Sequence, residues 1–239
     1  MKAIVLAAGK GERLKGLVDT IPKPMVEVKG KSVLQHNIEW LRIFGITDIY
    51  INLHHLPDII RDYFGSGEHF GVRLTYSYEK QLLGTAGAVR KIAHEYWGGE
   101  LSTTFIVVYG DNLLSDFNLS DLVAFHEAKQ GLATICLYPK PEQVWKSGVV
   151  LLDGQGRVLK FVEKPYPGQI QSDLANTGLY ILEPAILKYI PTNCISDFGK
   201  DIFPAAIDAG ESLFGLVVNA DLIAIDTPEL YEKVLGARR

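Results

Sequence analysis

Two lysines occupy stiff backbone segments and could hold a polyanion. Lys23 stands between two prolines, and Lys164 follows a glutamate and precedes a proline. Proline fixes its own φ and restricts the residue before it, so each ammonium projects from a rigid segment. With Arg13 as a third cation, the set would suit a substrate that carries several phosphates. The alternative interpretation of both lysine segments is a simple turn.

A glycine-rich loop follows the first apolar run of the chain. Gly9-Lys10-Gly11-Glu12-Arg13-Leu14 begins like a dinucleotide fingerprint, but Leu14 replaces the third glycine, which disfavours a dehydrogenase. Gly30-Lys31-Ser32 is similar to the end of a P-loop, but Met25 stands where that motif needs its first glycine. What remains is a flexible loop whose backbone N–H groups and two cations could bind an anion. A solvated surface loop is the alternative.

A carboxylate follows the apolar run Phe105–Tyr109. Asp111 comes directly after Gly110, which leaves room beside it. At the C-terminal end of a strand such a carboxylate is a natural Mg²⁺ ligand when phosphates supply further oxygens. An aspartate that only shapes a turn is the alternative.

A run of small residues, Leu83-Gly84-Thr85-Ala86-Gly87, precedes a helical pattern. Small residues permit close packing of a flat ring or of a ligand at a helix N-terminus. Thr85 is also predicted to cap the helix, and both interpretations can hold together.

Alternating strands and helices must position these residues. Ser32 is predicted to cap a helix that Gly45 ends. The βαβα order implies a mainly parallel sheet with ligands bound beyond the carboxyl ends of its strands. The loops Ala8–Lys23 and Gly110–Asp116 both follow strands. The predicted strands of this half are Ala3–Ala7, Asp48–Leu53, Val72–Tyr78 and Phe105–Tyr109, and its helices begin near Ser32, Pro57 and Thr85.

The second half of the chain is predicted to be more antiparallel. Leu213–Val218 and Leu222–Asp226 are predicted to pair as a hairpin, and Thr227-Pro228 to open a final helix. We therefore predict one α/β domain over residues 1–239, a mainly parallel, Rossmann-like three-layer sandwich with a more antiparallel second half. The other predicted strands are Ala133–Tyr138, Gly148–Leu152, Val158–Glu163 and Asn176–Leu182, and helices are predicted near Pro184–Tyr189 and Gly199–Ala209.

Composition narrows the function classes. The chain has 239 residues, 47% of them hydrophobic, and a net charge of −4. The negative balance argues against a nucleic-acid partner. Cys136 and Cys194 form no zinc or disulfide pattern, and the N-terminal apolar run is too short for a signal peptide or a membrane span. We expect a cytoplasmic protein with no membrane partner.

Six motifs follow one another along nearly the whole chain. They are Leu6-Ala7-Ala8-Gly9-Lys10-Gly11-Glu12-Arg13-Leu14, Pro22-Lys23-Pro24-Met25, Leu83-Gly84-Thr85-Ala86-Gly87, Gly110-Asp111, Phe161-Val162-Glu163-Lys164-Pro165 and Asn176-Thr177-Gly178-Leu179-Tyr180. Each is weak alone, but the ordered set resembles the sugar-1-phosphate nucleotidylyltransferases. The stretch Ile51–Val89 is most similar to mannose-1-phosphate guanylyltransferases and to related heptose- or muramate-phosphate enzymes.

The resemblance implies a reaction. An oxygen of a sugar 1-phosphate attacks the α-phosphorus of a nucleoside triphosphate, pyrophosphate leaves, and no covalent enzyme intermediate forms. Catalysis then consists of positioning and charge stabilisation. Residues from about 1 to 130 would bind the nucleotide and those from about 131 to 239 the sugar phosphate. A homodimer is an ordinary expectation for the family.

The resemblance also implies residue roles. Arg13 faces the β- and γ-phosphates, Lys23 neutralises charge around the α-phosphorus, and Lys164 grips the sugar phosphate. Asp111 ligates the Mg²⁺ cofactor. The implied nucleotide contacts are Leu6, Ala8, Gly9, Gly11, Gly84 and Thr85, and the implied sugar contacts are Gly148, Glu163 and Asn176. We expect these distant cations to converge on one polyanion.

One departure from the family pattern concerns the second metal ligand. The family commonly has an aspartate there, and the ungapped alignment places Ala224 at that position and Asp226 at a neighbouring glycine. Residues two apart on a strand share a face but lie about 6–7 Å apart. We hypothesise that a local backbone shift lets Asp226 bind the metal. Otherwise metal binding rests on Asp111, or activity is impaired.

Two side chains before the Gly84 segment could select the base. A carboxylate accepts from both Watson–Crick donors of guanine, so Glu79 favours GTP, with a mannose- or heptose-type sugar 1-phosphate. Gln81 could instead read thymine or uracil with one donor and one acceptor, and Glu79 could simply be solvated. The alternative substrates are dTTP, UTP or CTP with glucose 1-phosphate or a muramate-type sugar phosphate.

Two other functions remain open. One is a metal-dependent glycosyltransferase, but the sequence has no clear Asp-x-Asp motif at a strand end. This function would also leave the Lys23 and Lys164 motifs unexplained. A non-catalytic regulatory subunit that binds nucleotide sugars is favoured by Ala224. The residues that argue against it are the intact Arg13, Lys23, Asp111 and Lys164.

Overall fold

The computed structural model describes residues 1–9, 11, 20–98, 103–114, 117–140, 142, 144–192, 194–219 and 222–224. Arg13, Asp226 and the final helix expected after Thr227 lie outside the described residues.

The strands of the described residues follow the predicted order closely. The first seven are β1 (Lys2–Leu6), β2 (Glu27–Val28), β3 (Lys31–Ser32), β4 (Asp48–Leu53), β5 (Arg73–Tyr78), β6 (Phe105–Tyr109) and β7 (Asn112–Leu114). The later ones are β8 (Ala133–Pro139), β9 (Gly148–Leu152), β10 (Val158–Glu163), β11 (Leu174–Leu182), β12 (Leu213–Val217) and β13 (Leu222–Ala224).

Five α-helices lie within the described part of the chain. They are α1 (Val33–Ile43), α2 (Pro57–Phe64), α3 (Gly84–Tyr96), α4 (Leu119–Lys129) and α5 (Phe203–Asp208). The predicted cap of α1 is confirmed, because Ser32 accepts a hydrogen bond from the Gln35 N–H at 3.1 Å. Gly45 follows the helix with a φ of +75°, a conformation that glycine adopts readily at a helix end. None of the described helices has the length and apolarity needed to cross a bilayer.

Contacts divide the chain into two compact units. The first comprises Met1–Leu82, Val108–Ser115 and Leu222–Arg239, and the second comprises Leu83–Val107 and Asp116–Asp221.

The first unit is built on parallel strands. β1 pairs with β4 and β4 with β5, all in parallel, and the end of β6 lies beside β1. Ile4, Ile49 and Ile51 are fully buried. Such continuous apolar strands are typical of a parallel sheet with both faces covered.

The second unit is more antiparallel. β11 pairs antiparallel with β8 and β9, and β9 pairs antiparallel with β10. Its core holds a cluster of four aromatic rings, with neighbouring centroids between 5.1 and 5.5 Å apart, formed by Phe161, Tyr180, Phe198 and Phe203. The predicted α/β class, mainly parallel with a more antiparallel second half, is confirmed.

The hairpin predicted for Leu213–Val218 and Leu222–Asp226 is wrong. β12 pairs in parallel with β8, and β13 pairs antiparallel with β7. β8 is buried along most of its length, so its backbone N–H and C=O groups need partners on both edges. β11 supplies one edge and β12 the other.

Two predicted helices differ in type. The segment Pro184–Tyr189 is a 3₁₀-helix, and the predicted helix at Gly199–Ala209 consists of a π-helical turn, Phe198–Ile202, followed by α5. π-helical turns occur often at functional sites.

Candidate functional site

An ion pair joins two of the predicted catalytic residues in the first unit. The Lys23 ammonium donates a hydrogen bond to the carboxylate of Asp111. The Lys23 side chain is 7% exposed and that of Asp111 is 28% exposed. Lys23 begins a 3₁₀ turn, Lys23–Met25, in which the Met25 N–H bonds to the Pro22 carbonyl at 2.8 Å. The prolines therefore aim the lysine inward instead of forming a mere surface turn.

The backbone around Asp111 is fixed from two sides. The Gly110 N–H donates to the Leu6 carbonyl at 2.8 Å, at the end of β1. A Cβ on Gly110 would lie 2.9 Å from the same Leu6 oxygen, so only glycine permits this approach. Buried Asn37 of α1 donates from Nδ2 to the Asn112 carbonyl at 3.0 Å. These contacts hold Asp111 beyond the carboxyl ends of the parallel strands, where α/β sheets bind ligands.

The donors near Asp111 fit a magnesium ion that arrives with a polyphosphate. Mg²⁺ is often held by one or two carboxylates together with phosphate oxygens, and the Asp111 carboxylate is reachable from solvent. Among the described residues no three His, Cys, Asp or Glu side chains form a metal-binding group. β13 places the backbone of Ala224 opposite Asn112, the neighbour of Asp111. Asp226 lies outside the described residues.

A second polar cluster fixes the end of β1. The Ala7 N–H donates to Asn52 Oδ1 at 2.7 Å, and Asn52 Nδ2 donates to Glu79 Oε1 at 2.7 Å. His54 donates from Nδ1 to the Glu79 carbonyl at 2.8 Å. Glu79 is 1% exposed, so the alternative that it is merely solvated is wrong. Gln81 is exposed.

The Gly84 segment packs against the backbone around Ser196, within the second unit, instead of being capped by Thr85. The N–H groups of Ala86 and Gly87 both donate to the Ser196 carbonyl, at 3.0 and 3.2 Å. A Cβ on Gly84 would lie 2.3 Å from that oxygen. The predicted Thr85 cap is wrong because α3 already begins at Gly84. Thr85 Oγ1 instead accepts from the Phe198 N–H at 2.9 Å.

Two of the predicted sugar contacts lie side by side on β9 and β10. Gly148 pairs with Glu163 across the strands, and a Cβ on Gly148 or on Gly199 would each lie 2.8 Å from Glu163 Oε2. The two glycines thus leave the space that this carboxylate occupies. Burial raises the pKa of Glu163, and the negative charge of Asp197 raises it further.

The third predicted sugar contact, Asn176, is committed to local bonds. Its Nδ2 donates to the Tyr180 hydroxyl at 2.7 Å, and its Oδ1 accepts from the Gly178 N–H at 2.9 Å. These bonds fix the orientation of the amide within β11.

Lys164 has a strained backbone. Its φ is +49°, a left-handed conformation that non-glycine residues adopt rarely. Its N–H donates to the Ser147 carbonyl at 3.1 Å, which ties it to the start of β9, and its side chain is exposed. Non-glycine residues held in such conformations cluster at ligand-binding positions.

The structure brings together part of the predicted set within each unit. Lys23 and Asp111 are paired in the first unit, and Gly148, Glu163 and Lys164 are neighbours in the second. Convergence of all the cations on one polyanion stays a prediction.

Sequence reasoning missed four residues that hold this framework: Asn37, Asn52, Ser196 and Gly199. The two asparagines had a signal, because Asn52 is a polar residue within a mostly apolar, buried strand and Asn37 lies beside Ile38 on the apolar face of α1. Ser196 and Gly199 had none, since their role depends on contacts with distant segments.

The chain belongs to the nucleotidyl transferase family, whose profile matches residues 2–221. The resemblance found in the sequence is therefore confirmed.

Named relatives support the same class. A Synechocystis sp. protein named UTP–glucose-1-phosphate uridylyltransferase is 37% identical over 99% of this chain and 63% of its own length. The Xenopus laevis mannose-1-phosphate guanyltransferase beta-B is 35% identical over 96% of this chain and 62% of its own. The chain thus spans a little over three fifths of these curated relatives.

A solved structure shows the same fold. HddC from Yersinia pseudotuberculosis is 26% identical, has a TM-score of 0.81, and is matched over 100% of this chain and 99% of its own. HddC has also been solved in complex with GMP-PN.

Proposed function

We propose that the chain is a sugar-1-phosphate nucleotidylyltransferase. A phosphate oxygen of the sugar 1-phosphate forms a bond to the α-phosphorus of a nucleoside triphosphate, the bond to the bridging oxygen of the β-phosphate breaks, and pyrophosphate leaves. The observation that carries the proposal is the Lys23–Asp111 pair at the end of β1. A cation beside a solvent-accessible carboxylate suits a reaction centred on phosphates and a divalent metal.

Each predicted residue has a role in this proposal. Lys23 stabilises charge at the α-phosphorus, and Arg13 does so at the leaving phosphates. Asp111 holds Mg²⁺, with Asp226 proposed as its second ligand. The bound ion would neutralise charge on the triphosphate. Lys164 binds the phosphate of the sugar.

The ring of the sugar is proposed to contact Gly148, Glu163 and Asn176. The backbone of Leu6, Ala8, Gly9 and Gly11 and the Gly84-Thr85 segment are proposed to contact the nucleotide. A homodimer and a cytoplasmic location stay predictions.

GTP is the proposed nucleotide, with a mannose- or heptose-type sugar 1-phosphate. The buried Glu79 carboxylate supports guanine, which offers two donors on one edge. A relative named as a guanyltransferase and the HddC complex with GMP-PN agree with this choice. Because one relative is named a uridylyltransferase, UTP with glucose 1-phosphate is the alternative pair of substrates. In that case Gln81 would bind the uracil base.

The test is a panel of GTP, UTP, dTTP and CTP against mannose, glucose and heptose 1-phosphates, with pyrophosphate release as the readout. GTP with mannose or heptose 1-phosphate should react fastest, and Asp111→Asn should slow that reaction by about 100-fold or more. Asp62→Asn, at an exposed position of α2, is the matched control and should keep wild-type activity. Release from UTP and glucose 1-phosphate alone would establish the alternative substrates.

A regulatory, non-catalytic subunit is the second candidate, because Ala224 lies where the family expects a metal ligand. This second candidate predicts that the chain binds a nucleotide sugar but releases no pyrophosphate from any combination of triphosphate and sugar 1-phosphate. That outcome would overturn the proposed activity.

A further inference from the structure

Asn52 is a buried amide at the end of an apolar strand. It is 5% exposed and lies between Ile51 and Leu53 on β4, both buried. A buried amide is tolerated when its donor and acceptor are both hydrogen-bonded. The hydrogen-bond partners of Asn52 therefore indicate its role.

Asn52 links the two elements that the proposed function assigns to the nucleotide. Its Oδ1 accepts from the Ala7 N–H at 2.7 Å, directly after β1, where the glycine loop begins, and its Nδ2 donates to Glu79 Oε1 at 2.7 Å. A backbone N–H can only donate and a carboxylate only accepts, so the partners fix which way the amide faces.

The backbone of Glu79 is fixed by the same strand. Its N–H donates to the Leu53 carbonyl at 2.8 Å, and its carbonyl accepts from His54 at 2.8 Å. With the main chain held at both groups, the hydrogen bond from the Asn52 amide to Oε1 fixes the position of one carboxylate oxygen.

We propose that Asn52 is a positioning residue for base selection. It orients the Glu79 carboxylate that reads the base and at the same time holds the Ala7 N–H at the start of the glycine loop. Asparagine can do both because it carries one donor and one acceptor. Aspartate keeps the acceptor for Ala7 but loses the donor for Glu79. This inference rests on the proposed function and assigns a new residue to the same site.

The decisive comparison uses two proteins that share the substitution Glu79→Gln and differ only at position 52. In the single variant, Asn52 donates to the oxygen of the new side-chain amide. The NH₂ group of that amide is then the group left to contact the base. In the double variant Asn52→Asp/Glu79→Gln, the carboxylate at position 52 accepts from that NH₂ group. The amide oxygen is then the group left to contact the base. The double variant keeps a complementary pair, which preserves the fold.

The measurement is kcat/KM for GTP and for UTP with one sugar 1-phosphate. We expect the GTP-to-UTP ratio to be at least tenfold higher in the double variant than in Glu79→Gln. Asn52→Asp alone should lower the GTP-to-UTP ratio of the wild type at least tenfold. Asn118→Asp is the matched control, because Asn118 caps α4 at an exposed position and aspartate caps equally well.

Two outcomes would overturn the inference. Equal ratios in the two proteins that carry Glu79→Gln would show that the residue at position 52 does not orient the one at position 79. An Asn52→Asp protein slowed by the same factor with both nucleotides would show a merely structural role. If wild-type protein turns over no triphosphate, the proposed function fails, and Kd values for GTP and UTP measured by calorimetry on the same variants still test Asn52.

Discussion

Lys23 and Asp111 lie 88 positions apart in sequence, and their side chains form an ion pair. The pair is asymmetric, because the lysine is nearly buried and the aspartate is partly exposed. Removing the lysine and removing the aspartate should therefore affect stability differently. Loss of the carboxylate takes a charged partner away from a nearly buried ammonium, whereas loss of the ammonium leaves a carboxylate that water can reach.

Asp111→Asn should therefore destabilise the protein more than Lys23→Met. A buried charged group left with a weaker partner costs about 1–3 kcal/mol, while methionine keeps most of the apolar stem of Lys23. Both variants should lose about 100-fold or more in kcat. Urea unfolding measures the first effect and pyrophosphate release the second.

Arg73→Met is the control for this comparison. The Arg73 side chain is 75% exposed and pairs with Asp48, which is 19% exposed; because the guanidinium is already solvated, the pair contributes little, so unfolding and activity should stay close to wild type. If Lys23→Met proved the more destabilising of the two site variants, the asymmetry described for the pair would be wrong.

Local patterns predicted most elements because their signals are local. The bounds of β4, β6, β9 and β10 and the start of α2 agree with the prediction, since apolar runs, caps and turn residues lie within each segment. The Ser32 cap is also a local signal, because its partner lies three residues further along the chain.

Pairing between distant segments could not be predicted in this way. Leu213–Val217 has an apolar pattern that would suit a hairpin with its neighbour or a place beside β8. The choice between these two pairings depends on β8, because one edge of this buried strand needs hydrogen-bond partners that β11 does not supply. In the same way, nothing near Thr85 in sequence indicates that Ser196 would satisfy the first N–H groups of α3.

The metal site supplies the second prediction. If Asp226 is the second ligand, Asp226→Ala should raise the Mg²⁺ concentration for half-maximal rate by about tenfold or more, because one of two carboxylates is lost. Adding Ala224→Asp should restore part of the affinity, since the backbone of Ala224 pairs with Asn112 beside Asp111. A magnesium titration of the rate measures both, and an unchanged curve for Asp226→Ala would remove that residue from the site.

The strained backbone of Lys164 gives a third prediction. Glycine adopts a φ of +49° without strain, so Lys164→Gly should be more stable than Lys164→Ala by about 1 kcal/mol. Both should lose activity, with a higher KM for the sugar phosphate, if the ammonium binds that group.

Lys29 offers a matched control for Lys164. It is also exposed, with a φ of +51°. Lys29→Gly should be more stable than Lys29→Ala by a similar amount and should leave activity intact. Equal loss of activity in the two glycine variants would contradict the role given to Lys164. Chemical unfolding and steady-state kinetics separate the two effects.

Glu163 gives a pH dependence with a definite sign. Burial, followed by the charge of Asp197, raises its pKa above the ordinary value of 4.5. The folded protein therefore holds this proton more tightly than the unfolded chain. The stabilising contribution is fully present below pH 4.5 and is lost as the pH rises through the raised pKa.

Glu163→Gln removes this dependence. The free energy of unfolding of the variant, relative to wild type, should rise as the pH increases from 4.5 through the raised pKa, and then level off. Urea unfolding at several pH values measures it, and Glu68→Gln, at an exposed position, is the control. A constant difference across that range would show that Glu163 does not titrate with a raised pKa.

Gly199 tests how tightly the Glu163 carboxylate is held. A Cβ at Gly199 would lie 2.8 Å from Glu163 Oε2 and 2.8 Å from Phe161, so Gly199→Ala must displace the carboxylate or the ring. Overpacking of this kind costs about 1–3 kcal/mol. If Glu163 contacts the sugar, the KM for the sugar phosphate should rise several-fold while the KM for the triphosphate changes little. Gly154→Ala, in a turn with nothing within 4 Å of the added carbon, should alter neither KM. A parallel rise in both Michaelis constants of Gly199→Ala would instead indicate general distortion and argue against Glu163 as a sugar contact.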